Sequence, residues 1–218
     1  MQEDAFVKLH GYFRSSASYR LRIALNLKGL SPDQAFVHLR RQDQGKADFR
    51  ALNPLGLVPV LEEDGRALTQ SLAIIEYLEE THPAPALLPP APIDRAWVRS
   101  IAHAVACDIH PINNLRVLNH LRDRLGQDEA ARNAWYAHWV AAGFAGLEAM
   151  LAADDRVGAF CLGDTPTLAD LCLVPQVYNA ERLNCPMHAY PTIRRITAAA
   201  RALPAFQAAE PDRQPDAE

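Results

Sequence analysis

Cysteine, positive charge and long apolar runs are all scarce in this chain, and each scarcity excludes something. Its four cysteines, Cys107, Cys161, Cys172 and Cys185, lie far apart with no CxxC pair, which argues against a zinc framework and against a disulfide scaffold. Three of them follow or sit among apolar residues and read as core fillers. No metal ligand set is expected. No apolar run approaches the ~18 residues that a membrane-spanning helix needs, and no apolar h-region opens the chain. A soluble cytoplasmic protein with no membrane partner is the expectation. Lys and Arg number 22 against 26 Asp and Glu, a net charge of −4, which argues against nucleic acid as a partner. A small anionic ligand stays open, because a local arginine cluster overrides the net charge. No internal repeat is visible. The 218 residues, 49% of them hydrophobic, suffice for one large domain or two small ones.

The first eighty residues alternate short apolar runs with helical ones. Residues 5–9 read as a strand, 17–29 as a helix and 34–39 as a second strand. "LVPVLEEDGRAL" reads as two strands joined at Glu63-Asp64-Gly65. "QSLAIIEYLEETH" is a further helix. This β-α-β then β-β-α order predicts a small mixed sheet covered by helices. Prolines 83, 85, 89, 90 and 92 cannot continue a helix and stiffen a connection. Residues 82–92 are therefore expected to link a domain of residues 1–81 to an all-helical one of 93–218. In the second, residues 93–124 are helical with an interruption near Pro111, 128–152 are helical, and a third helix follows Gly163. Thr167 and Asp170 form a capping-box-like pair there, and the stretch from Pro204 is expected to pack loosely.

Three local features point to chemistry. In "RSSASYRLRIALNLKGL", Ser15, Ser16 and Ser18 stand directly before a helical run. A helix start offers free N–H groups and a partial positive charge, which suit a thiolate or another anion. The chain has no cysteine there, so a thiolate would have to arrive with a cofactor. In "NPLGLVPVL", the Val58-Pro59 bond at a strand start is a candidate for the cis isomer, leaving the Val58 N–H and C=O to hold a peptide-like ligand. In "TQSLAIIEYL", Gln70 and Ser71 precede a helix that Ser71 can cap and whose N–H groups can accept a carboxylate. Taken singly, these are a cap, a loop proline and another cap.

Together, in this order, they resemble the glutathione-binding domain of glutathione transferases, and specifically the zeta class. The resemblance is carried by "YFRSSASYRLRIALNLKGL", "ALNPLGLVPVL", "QSLAIIEYLEE", "DIHPINNLRVL", "GDTPTLADLCLVPQVYNAERL" and "YPTIRRI", which run from Tyr12 to about Phe206. It implies a thioredoxin-like α/β domain that binds glutathione, an all-α domain that binds substrate, and a homodimer.

It also implies roles for individual residues. Ser15 would point its hydroxyl at the glutathione sulfur, with Ser16 as the second catalytic residue and Ala17 beside them at the cofactor. The class usually carries cysteine where this chain has Ala17. Gln44 would lie near the glycyl end, Val58 would pair with the cysteinyl part, and Gln70 and Ser71 would hold the γ-glutamyl carboxylate. His110, Asn114, Leu115 and Arg116 match a stretch that lines the active site and would contact glutathione. Arg182 matches an arginine that binds a substrate carboxylate, and Arg14 and Arg116 would add positive charge. Arg20 serves either that cleft or the bracing of the motif against an acidic neighbour. Asp170 is expected to act as a buried cap with no part in the chemistry.

The implied activity is a glutathione-dependent cis–trans isomerisation of a maleyl-type dicarbonyl acid, with maleylacetoacetate favoured over maleylpyruvate. A general transferase acting on small electrophiles such as α-haloacids, and a non-enzymatic binding module, are the competing expectations.

Overall fold

The computed structural model describes residues 7–218. In chain order its elements are β1 (Val7–Gly11), α1 (Ser16–Leu27), β2 (Asp33–Phe36), α2 (Ala47–Leu52), β3 (Val60–Glu63), β4 (Arg66–Thr69), α3 (Ser71–Thr81), α4 (Pro92–His103), α5 (Leu115–Asp123), α6 (Glu129–Ala153), α7 (Leu168–Arg182), α8 (Pro191–Arg201) and α9 (Pro204–Ala209). Two compact units form. The first holds the residues up to Leu87 together with Leu203–Glu218, and the second is Leu88–Ala202.

The first unit is built on a four-stranded sheet of order β2-β1-β3-β4. β1 runs parallel to β2 and antiparallel to β3, with Leu9 opposite Leu61, and β3 pairs antiparallel with β4. The β3–β4 turn is Asp64-Gly65, both at positive φ (48° and 74°), the conformation that a two-residue hairpin of matching twist demands. Successive strand residues point to opposite faces. Val60 and Leu61 are both fully buried, so the sheet is covered on each side. Val60 packs with Val37 and Phe49 of α2, against which Leu52 and Val58 also lie. α1 packs on α3 and α9. The strand expected over 34–39 ends at Phe36, and His38 then starts a 3-10 turn. Residues 5 and 6 of the first expected strand lie outside the described residues, and the rest of it continues to Gly11.

Lys28, at the end of α1, is buried. Its ammonium binds Glu79 at 2.9 Å and the carbonyls of His82 and Pro85 at 2.6 and 3.1 Å, while the Glu79 carboxylate accepts the Leu87 N–H. One buried ion pair thus gathers the ends of α1 and α3 with the proline-rich stretch. That stretch contains a cis Ala84-Pro85 bond, and Val58-Pro59 is also cis.

The closing segment does not pack loosely. Phe206 and Ala209 are fully buried, and Arg22 donates to the Ala209 carbonyl at 3.1 Å. Two apolar side chains at helical spacing make α9 a packed element. Residues 203–218 therefore belong to the first unit rather than to the helical one.

In the second unit α7 is the centre: twelve of its fifteen residues are buried. It packs on α4 and α8, and α6 packs on α8. The helix expected over 93–124 is broken into pieces. α4 passes into a π-helical stretch at Ala104–Ile109, a 3-10 turn follows at Pro111–Asn113, and α5 then starts anew. Pro111 has no N–H to continue the helix. A side-chain carbon on Gly143 of α6 would run into Ile109, so glycine is what lets α6 approach the π-helical stretch. Among the described residues no helix is long and apolar enough to cross a membrane.

The capping box at α7 is formed. Asp170, fully buried, accepts the Thr167 N–H and hydroxyl at 2.8 and 2.9 Å through one oxygen and the Cys161 N–H at 2.9 Å through the other. Burial raises its pKa, against the pull of these donors.

Two stability predictions follow from these buried polar groups. Lys28→Ala strands Glu79 and should cost about 3 kcal/mol. Asp170→Ala strands donors from two segments and should cost about 2–3 kcal/mol. Urea unfolding midpoints of the two variants check both.

Candidate active site

The start of α1 divides its hydroxyls by burial. Ser15 is the N-cap, in extended conformation; its Oγ accepts the Ser18 N–H at 3.2 Å and its carbonyl accepts the Tyr19 N–H at 2.8 Å. A hydroxyl that accepts a cap bond keeps its own O–H to donate, and Ser15 is half-buried. Ser16 is buried, so it and Ala17 contribute chiefly backbone N–H groups, for which the first helical turn has no carbonyl acceptors. Ser18 is fully buried and its Oγ faces the Tyr12 N–H at 3.5 Å. Arg14 donates to the Tyr12 hydroxyl at 3.2 Å and lies over the Phe13 ring.

Arg20 lies one turn further along α1. It is 2% exposed, too deep to line a cleft, and its guanidinium donates to the Ser71 hydroxyl at 3.4 Å. It thereby braces the start of α1 against the start of α3. Ser71 is accordingly the first helical residue and not the cap. The cap position belongs to Gln70, which makes no side-chain cap bond and stands at φ 68°, ψ 108°. A non-glycine residue in that region stores about 1–3 kcal/mol of strain. The first N–H groups of α3 thus have neither a helical acceptor nor a side-chain cap, the arrangement that receives a carboxylate.

A glycine sets the Gln44 turn against the loop that leads to Val58. Gly56, at φ 62°, lies so close to the Gln44 carbonyl and the Arg50 guanidinium that an added Cβ would stand 3.0 Å from both. Asn53, 2% exposed, shapes the same loop through its bonds to the Leu57 carbonyl and the Leu55 N–H. Val58 is half-buried and precedes β3, outside the strand ladder. The Gln44 Oε1 is buried with no partner among the described residues.

In the second unit, His110 ends the π-helical stretch, half-buried, its N–H bonded to the Val105 carbonyl at 2.9 Å. Asn114 caps α5, its side-chain oxygen accepting the Arg116 N–H at 3.1 Å. Leu115 and Arg116 are exposed on the first turn of α5, and Arg182 is exposed on the last turn of α7. Tyr136 stands between these two stretches. Its carbonyl faces the Asn113 side-chain amide at 3.5 Å. Burial pushes its phenol up to about 12, against opposing pulls from Arg182 and Gln176. Reading the sequence does not single out Tyr136; an aromatic residue on the apolar face of a long helix carries no local sign of such a position. Among the described residues no group of three or more His, Cys, Asp and Glu could hold a metal ion.

Comparison with known proteins identifies the family. Residues 14–81 match the family "Glutathione S-transferase, N-terminal domain", and residues 129–208 match "Glutathione S-transferase, C-terminal domain". A probable maleylacetoacetate isomerase of Vibrio cholerae is 52% identical over 96% of this chain and 97% of its own length. A solved bacterial maleylpyruvate isomerase, described as a glutathione transferase of the zeta class, superposes with a TM-score of 0.95 at 51% identity, over 97% of this chain and 100% of that one. This chain is a zeta-class glutathione transferase. A maleylacetoacetate isomerase of Methylobacterium extorquens, solved with malonate and glutathione bound, has a TM-score of 0.94 at 42% identity, over 97% of this chain and 99% of that one.

The residues of this glutathione transferase fit the tripeptide chemically. An uncapped α3 start suits a carboxylate, the Val58 backbone outside the ladder suits a peptide group, the Gln44 oxygen suits an N–H donor, and the Ser15 hydroxyl suits a thiolate. Gly56→Ala should displace the Gln44 turn and raise the glutathione KM by about tenfold, as steady-state kinetics at varied glutathione will show.

Proposed function

We propose that this protein is a glutathione-dependent cis–trans isomerase of maleyl-type dicarbonyl acids, converting maleylacetoacetate to fumarylacetoacetate. The observation that carries this reading is Ser15: a cap whose oxygen is occupied by Ser18 and whose proton is left to give, at a helix start with free N–H groups. We assign glutathione binding to the first unit and acid binding to the second.

Glutathione, when bound, supplies a thiolate nucleophile that adds reversibly to an electron-poor cis double bond. Ser15 would donate a hydrogen bond from its hydroxyl to that sulfur, and the N–H groups of Ser16 and Ala17 would add the positive end of α1, favouring the thiolate at neutral pH with the thiol proton passing to solvent. A hydroxyl suits this task because it stabilises the anion without taking its proton. Ala17, where the class usually has cysteine, leaves Ser15 and the helix start to act without a protein thiol. Gln70 and Ser71 present the α3 start to the γ-glutamyl carboxylate, Val58 pairs with the cysteinyl part, and Gln44 receives the glycyl end.

On the second unit, Arg116 and Arg182 are the carboxylate-holding cations. A guanidinium grips a carboxylate through two parallel bonds, and both side chains are exposed. They would hold the acid while its central bond turns and neutralise the charge that develops on its oxygens. By the family resemblance His110, Asn114 and Leu115 would line the active site, and Arg14 would add positive charge on the first unit.

Maleylpyruvate is the second substrate reading, supported by the likeness to an enzyme named for that acid. A general transferase for small electrophiles uses the same thiolate and differs only in the acceptor. We further infer a homodimer, as is usual for glutathione transferases, working in the cytoplasm. Cys161, Cys172 and Cys185 are buried free thiols, which suits a reducing compartment.

Purified protein mixed with maleylacetoacetate, with and without glutathione and coupled to a hydrolase for the fumaryl product, tests the reading. Turnover should require glutathione, and Ser15→Ala should lower kcat/KM by about a hundredfold. Arg182→Ala should raise the KM for the acid by about ten- to a hundredfold with the glutathione KM unchanged. Absence of turnover on either maleyl acid would overturn the isomerase reading.

A further inference from the structure

The buried donors before Ser15 find their acceptors at the far end of the sequence. β1 ends at Gly11, so Phe13 has no strand partner, and it is 2% exposed. A buried N–H without an acceptor is costly. The Phe13 N–H donates to the Asp216 carboxylate at 3.0 Å. The Phe13 carbonyl accepts from Arg22 at 3.0 Å, and the same guanidinium holds the Ala209 carbonyl at 3.1 Å. The peptide groups on both sides of Phe13, two residues before Ser15, are thus held by residues 209–216, one of them directly and one through Arg22.

Glu218 does the same for the loop that carries Gln44. Its carboxylate accepts from His38 Nε2 at 2.6 Å and from Arg41 at 3.3 Å. The other ring nitrogen, Nδ1, accepts the Arg41 N–H at 3.1 Å. The neutral imidazole therefore carries its proton on Nε2, where a carboxylate is its natural acceptor. His38 in turn grips Asp43 from both sides: its N–H donates to the Asp43 carboxylate and its carbonyl accepts the Asp43 N–H, each at 3.2 Å. Gln44 is the next residue. The His38 ring also meets Tyr12 edge-on at 5.2 Å, which joins the two loops. Bonding to His38, with Arg41 and Arg40 nearby, holds the Glu218 carboxyl below its ordinary range. The base of the segment is fixed as well, because Gln214 is buried and donates to the carbonyls of Ala208 and Glu210.

We propose that residues 214–218 form a strap that sets the Ser15 and Gln44 loops for glutathione, with Asp216 and Glu218 as positioning residues. The proposal rests on the reading that these two loops hold glutathione. A contact serving stability alone would leave the affinity of the folded protein for glutathione untouched. A strap that orders the loops before binding lowers the cost of binding itself.

The test compares the whole protein with Asp216→Ala, Asp216→Asn and a chain ended at Pro215. Glutathione Kd is measured by calorimetry, with Tm and steady-state kinetics alongside. Asparagine keeps an oxygen to accept the Phe13 N–H. Asp216→Ala and the shortened chain should weaken glutathione binding about tenfold. Asp216→Asn should restore it to within about twofold, and kcat at saturating glutathione should stay within about twofold of the parent. Should the shortened chain fail to fold, the Ala and Asn pair decides. An unchanged Kd in Asp216→Ala, with or without a lower Tm, overturns the strap, and so does an Asn variant as weak as the Ala one. A parent protein that binds no glutathione overturns the functional reading along with the strap, an outcome distinct from a strap that fails in a protein that binds.

Discussion

Two helices of the first unit begin with N–H groups that no carbonyl of their own can satisfy, and one buried arginine ties the two beginnings together. Arg20 leaves α1 one turn after Ser16 and donates to Ser71 at the first position of α3. Burying a guanidinium is costly unless it is well bonded, so the spacing of the two helix starts is set by where Ser71 must stand. The other polar groups near the two helix starts are disposed around this contact. Ser18 is buried behind the cap, and Gln70 is left as a strained N-cap whose side chain makes no cap bond.

The second unit divides its polar residues in the same way. Asp170 lies fully buried in the helical unit, where it accepts from the Cys161 N–H and from the Thr167 N–H and hydroxyl. Arg116 and Arg182 stand at the margins, exposed, on the first turn of one helix and the last turn of another. A last-turn arginine sits well in the field of its own helix and keeps its guanidinium available. In both units the deepest polar groups are bonded within the fold, and the shallower ones are left exposed.

The sulfur chemistry fits this division. Burial pushes the thiols of Cys161 and Cys185 up, which makes them poor nucleophiles. Ala17 removes the thiol that the class usually carries at the start of α1. On the proposed reading a nucleophile there comes with the ligand, and the Ser15 hydroxyl, a cap acceptor with its proton free to donate, suits a thiolate.

Much of this was legible in the sequence because it is local. A serine before a helical run, proline at a strand start, Asp-Gly between two short strands and Thr-x-x-Asp before an apolar helix each have a backbone reason within a few residues. Those reasons set the α/β order, the helical second half and the capping box, and their order along the chain pointed to the family. What the sequence did not reveal depends on residues far apart. Arg20 was open between a cleft and a brace until Ser71, fifty-one positions on, took its bond. Ser71 was expected to cap a helix that Gln70 caps with its backbone. The stretch from Pro204 was expected to lie loose, yet Phe206 is fully buried and Asp216 meets Phe13 across 203 positions. A cap or a turn is decided by neighbours in the chain; a buried donor is decided by whichever acceptor the fold brings to it, and only the tertiary structure chooses that acceptor.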